Sequence, residues 1–261
     1  MNPWFALGTL LAAGWHAWWL LAVRTAGWRE ALPLLLVGAT LALPWLRTDI
    51  HRRSVPMAPL TLLLAAYVLA ILFLPPLARI APAALAVAWC LHAAIDGADR
   101  LPRPPFFGLV ALALPVVPSL EFFCGYPVRL AALHSSVALL RVNGVAVEAQ
   151  GLALEHTGRL IEFDAPCSGV RMLWTCWFLA SALAYLFRLG AWPYAKTLLA
   201  ATGIAFASNV VRATSLFYLE ARPLSFEPPA WLHEAVGVAA FVLTALAICA
   251  WMARRHLARS A

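Results

Sequence analysis

A chain of 261 residues that is 63% hydrophobic and only 12% charged, with a mean hydropathy of +0.81, excludes a water-soluble globular surface and describes an integral membrane protein. The net charge of +7 comes from 18 arginines and one lysine scattered through loops and run ends, where such residues set membrane orientation, so nucleic acid is not the expected partner. Five cysteines, at 90, 124, 167, 176 and 249, contain no CxxC and indicate neither a disulfide framework nor a zinc site.

In chain order, apolar runs are read at about 4 to 23, 31 to 46, 58 to 76, 80 to 95, 106 to 122, 172 to 188, 195 to 219 and 234 to 253. They are continuous rather than alternating, which predicts helices and not a barrel. The expected fold is therefore an all-α polytopic membrane protein of about eight transmembrane helices. The first run starts with uncharged Asn2-Pro3 and holds Trp4, Trp15, Trp18 and Trp19, unlike a cleaved leader, and is read as a permanent anchor. The second and fourth runs are short for a bilayer, so tilt, thinning or a boundary shift is expected there.

The segment from about 123 to 171 is the only sizeable region expected outside the bilayer. Tyr126 to Val142 spaces its apolar residues helically around Arg129, His134 and Arg141, which predicts a helix along the outer surface. After the turn signal Asn143-Gly144, alternation on either side of His156-Thr157-Gly158 predicts a small β-hairpin or three short strands leading to Cys167. No repeat or linker marks a second domain. Residues 1–261 are read as a single membrane-embedded domain, with 1–57 as accessory N-terminal spans.

Orientation follows from Arg47, Arg52, Arg53, Arg100, Arg103, Arg188, Lys196, Arg254, Arg255 and Arg259, which fall on one side, against Arg24, Arg29 and Arg79 in short connections on the other. The richer side is read as cytoplasmic, with both termini inward in an inner (plasma) membrane. On that topology Cys167, Arg212 and His233 come out near one level on the outer, periplasmic side. Arg212 lies 16 residues beyond Lys196, about 24 Å along a helix, and so reaches the outer third of the bilayer. A charge at that depth is costly and usually faces the bundle interior or a polar cavity.

Asn209 precedes Arg212 by three residues on the same helical face and is placed to orient its guanidinium. Gly237 follows His233 by four, where a missing side chain admits another helix or a peptide backbone. The helix start near Ser168 or Gly169, with Arg171, favours a thiolate at Cys167. The bland readings are a buried apolar Cys167, an Arg212 that snorkels or pairs with Glu220 or Glu234, and a His233 that marks the interface. His156 is an alternative base in a turn, His134 belongs to a solvated face, and Cys124 is a possible redox partner for Cys167.

Cys167-Ser168-Gly169 with Arg171, Asn209-Val-Val-Arg212, and His233 with Gly237 resemble the exosortase and archaeosortase family over roughly residues 60 to 253. The resemblance implies a membrane-embedded cysteine protease or transpeptidase acting on exported protein substrates with a C-terminal sorting tail: a short motif, a transmembrane helix and a basic cluster. It implies Cys167 as nucleophile, His233 as general acid or base, and Arg212 as the group holding the scissile carbonyl or its oxyanion. Ser168, Gly169, Arg171, Asn209 and Gly237 are supporting residues. No cofactor and no metal are implied. The alternatives are a transporter with Arg212 as an anion site, or a non-catalytic membrane assembly partner.

Overall fold

A computed structural model describes residues 3–43, 57–95, 102–162, 169–220 and 230–260. Among them are ten α-helices and one three-stranded sheet. The chain divides into two compact units, one of residues 1–116 and 181–196, the other of 117–180 and 197–261.

The first unit contains α1 (Pro3–Ala13), α2 (Trp15–Arg24), α3 (Trp28–Ala42), α4 (Met57–Phe73), α5 (Pro76–Ile95) and α6 (Arg103–Ala113). The first apolar run is two helices rather than one. They part at Gly14, although the bonds Gly14 N to Leu10 O (2.8 Å) and Trp18 N to Gly14 O (3.1 Å) carry the helical ladder across the break. A Cβ at Gly14 would lie 2.9 Å from the Trp18 indole nitrogen, so the absent side chain makes room for that ring. Small residues let the helices approach, as Ala86 and Cys90 of α5 close a core with Leu10 of α1 and Leu60 of α4.

The second unit contains α7 (Val117–Val142), the strands β1 (Glu148–Gln150), β2 (Ala153–His156) and β3 (Arg159–Glu162), α8 (Val170–Leu186) to Ala180, α9 (Ala191–Glu220) from Thr197, and α10 (Ala230–Ser260). Here the expected boundary at 122 is corrected. The run read as 106 to 122 is divided, and one 26-residue helix crosses from its second half through Val142. Proline accounts for the division: Pro115 has no N–H to continue α6 and holds Leu114 extended (φ −68°, ψ 155°), whereas Pro118 falls in the tolerant first turn of α7.

The strands form an antiparallel meander in the order β1-β2-β3, with Leu154 opposite Ala149 and Ile161. Thr157 (φ 51°) and Gly158 (φ 76°) both take the left-handed conformation that a two-residue hairpin turn requires. The sheet is anchored through its apolar face. Val147 and Leu154 pack with Ala132, Leu133, Val137 and Leu140 of α7 and with Val210, Ala213 and Phe217 of α9. Arg141 adds a side-chain bond to Val147 O at 3.0 Å.

Val117–Val142 and Trp231–Arg254 are long and apolar enough to cross a membrane, and Ala31–Ala42, Ala58–Phe73, Arg79–Ala93 and Val170–Leu186 are shorter apolar helices. Large apolar side chains project outward from these elements, among them Leu62, Leu72 and Phe73 of α4 and Val238, Leu243 and Leu246 of α10. Exposed apolar side chains of this kind suit a hydrocarbon solvent rather than water.

Candidate functional site

Four helices of the second unit line one cavity of about 480 Å³, with Gly169 and Arg171 from the start of α8, Arg212 from α9, Gly237 and Phe241 from α10, and Glu121, Gly125 and Arg129 from α7. Local chemistry explains each approach. Gly169 takes φ +74°, a conformation that side chains disfavour, and its carbonyl accepts the first helical bond of α8 from Leu173 N at 2.8 Å. A Cβ there would stand 2.8 Å from both Cγ and Nδ2 of Asn209, so only glycine lets the helix start lie against α9.

Asn209 is buried and Arg212, one turn further along the same face, is half-buried. The Arg212 guanidinium packs over Gly237: a Cβ added to that glycine would meet Arg212 Nε at 3.6 Å and Nη2 at 3.8 Å. His233 is half-buried and precedes Gly237 by one turn on the same face of α10. A hydroxyl pair holds α9 and α10 together one turn away, with Thr244 donating to Ser208 Oγ at 2.6 Å and Ser208 itself 3.3 Å from Ala240 O. Thr244 is 1% exposed, so this bond is made where water does not compete.

Gly169, Asn209, Arg212 and Gly237 are thus brought together. Arg171 also reaches the cavity, and its Nε donates to Glu121 Oε1 at 2.9 Å. Cys167 and Ser168 lie outside the described residues. The α7 wall was absent from the sequence reading of the site, which set Arg129 on a helix along the outer surface. The signal available for it was spacing: Glu121, Gly125 and Arg129 recur every four residues and share one helical face.

The other candidates have structural surroundings. His156 Nδ1 lies 2.8 Å from Ala146 O and its ring meets Phe217 edge-on at 5.4 Å, so it ties the sheet to α9. His134 and Cys124 are exposed on α7. His92 is buried in the first unit against Phe106 and Phe107.

A family model described as transmembrane exosortase (Exosortase_EpsH) matches residues 27–250. The chain belongs to the exosortase family. Membership covers most of the chain and carries with it a general role as a membrane transpeptidase acting on exported proteins with C-terminal signals. No curated protein and no solved structure matches the chain. The α8 start packed on Asn209 gives position 169 a physical reason for being glycine.

Proposed function

We propose that this exosortase is a cysteine protease or transpeptidase of the inner membrane that cuts C-terminal sorting tails of exported proteins at the outer face, both its termini being cytoplasmic. Cys167 is the nucleophile, His233 the general acid and base, and Arg212 the cation that holds the scissile carbonyl and its developing oxyanion. Ser168, Gly169, Arg171, Asn209 and Gly237 support them. One observation supports the reading: Gly169 lies against Asn209 and Arg212 over Gly237, so the helix start that follows Cys167, the Arg212 face of α9 and the Gly237 turn of α10, one turn beyond His233, meet at one cavity.

Chemically, an ordinary cysteine thiol is only partly ionised at neutral pH, so the imidazole takes its proton as sulfur attacks the carbonyl carbon. The tetrahedral intermediate carries its negative charge on oxygen, where a guanidinium in a water-poor cavity is most effective. Collapse breaks the C–N bond, and the imidazolium returns the proton to the leaving amine. The resulting thioester is resolved by water or by an acceptor amine or hydroxyl, which restores the thiol.

The test is an exported reporter fused to a tail of short motif, apolar helix and basic cluster, followed in cells that carry Cys167→Ala, Arg212→Ala or His233→Ala. Each variant is expected to leave uncleaved reporter at normal enzyme abundance, and hydroxylamine is expected to release an acyl group from Cys167 of the wild type. Continued cleavage by Cys167→Ala would refute the thiol mechanism.

A further inference from the structure

Arg129 is the arginine of the cavity that the reaction above leaves without a task. Its side chain is half-buried on α7, and its Nε is buried. Among the described residues no hydrogen bond or ion pair reaches it, whereas the neighbouring Arg171 is matched by Glu121. Buried donors are nearly always satisfied, and a guanidinium that lines a cavity without a protein partner calls for one that arrives with the ligand. Arg129 stands one turn before Ala132 and Leu133, which pack in the same core as Val210 and Ala213, the neighbours of Arg212 on α9.

Gly125, one turn away on the same face of α7, adds a second observation. It lines the cavity, and a Cβ built on it would meet nothing within 4 Å, so the wall beside Arg129 is open space at main-chain height. A peptide drawn through that space presents a carbonyl oxygen at every residue, whatever its side chains. We propose that Arg129 is a positioning residue that donates to a main-chain carbonyl of the bound tail, away from the scissile bond. This rests on the reading of the cavity as the peptide site.

Such a contact forms equally in the bound substrate and in the transition state, so its loss raises KM and spares kcat. In the full-length enzyme with a tail-bearing reporter, Arg129→Ala is expected to raise the half-saturating reporter concentration by about tenfold to hundredfold, the size for a charge-assisted hydrogen bond. Turnover at saturation is expected to stay within about threefold of wild type, and Arg129→Lys to recover part of the loss. The same loss is expected with a reporter in which any Asp or Glu side chains near the cleavage site are changed to amides. If the effect disappears with the amide reporter, the partner is a carboxylate and the carbonyl assignment is overturned. Wild-type kinetics in Arg129→Ala, or a loss that saturating reporter does not repair at normal membrane abundance, overturns it too. Cys167→Ala separates the two proposals: if it abolishes cleavage while Arg129→Ala does nothing, only the present inference fails.

Discussion

Gly169 and Asn209 touch so closely that the space for a side chain on the first is already filled by the second. The contact joins residues 40 positions apart and sets where α8 begins relative to the Arg212 face of α9. Two independent penalties follow for any other residue at 169, the left-handed φ of +74° and the 2.8 Å approach to Asn209.

Gly169→Ala is accordingly expected to reduce reporter processing by at least about tenfold, since left-handed backbone alone costs about 1–2 kcal/mol for an L-residue. Asn209→Ala added to it is expected to restore part of the activity by removing the overlap, though not the backbone cost. Processing rate per enzyme molecule in the membrane is the measurement.

At Gly237 the spacing to Arg212 is ordinary van der Waals distance, 3.6 Å to Nε. Gly237→Ala is therefore expected to process the reporter within about threefold of wild type, while Gly237→Leu displaces the guanidinium and costs about a hundredfold, the scale for a lost oxyanion donor. Equal activity in the two variants would show that Arg212 does not work from this position.

The Arg171–Glu121 pair is exposed on the arginine side, 82% against 39% for the glutamate, so it contributes about 0–1 kcal/mol. Glu121→Gln is expected to change thermal stability in detergent by no more than that and to reduce processing less than about tenfold. A charge swap, Glu121→Arg with Arg171→Glu, is expected to exceed either single substitution in activity.

His156 separates a structural histidine from a chemical one. Its Nδ1 contact to Ala146 O and its ring on Phe217 predict that His156→Ala loosens the sheet by about 1–2 kcal/mol. Processing per folded molecule is expected to be unchanged, in contrast to His233→Ala. Limited proteolysis between residues 145 and 162 reads the first effect, reporter cleavage the second.

Core substitution tests how the cavity walls are held. Leu133 is 0% exposed among side chains from α7, the sheet and α9. Leu133→Ala is expected to destabilise the second unit by about 2–5 kcal/mol and to lower enzyme abundance in the membrane before it alters the KM of what remains.

The positions of most apolar helices were legible in the sequence, because a long run without charges has few structures open to it other than a helix. The runs read at 58 to 76, 195 to 219 and 234 to 253 lie within or near α4, α9 and α10. Boundaries were less legible where glycine or proline interrupts a run. Gly14 parts α1 from α2, and Pro115 ends α6 so that α7 starts earlier and runs longer than hydropathy alone suggests. The one-turn spacings of Asn209 to Arg212 and of His233 to Gly237 were visible in the sequence itself, and so was the family.

By itself, the chain's order of residues determined the class, most of the helices and the spacing of polar residues along each of them, since each of these depends on composition or on spacing within one element. Tertiary packing alone decided that Glu121, Gly125 and Arg129 of α7 share a cavity with Arg212 and Gly237, and that Gly169 abuts Asn209. Which helix faces which is set by side-chain volumes meeting across segments far apart in sequence, and hydropathy, which counts each segment separately, carries no record of that.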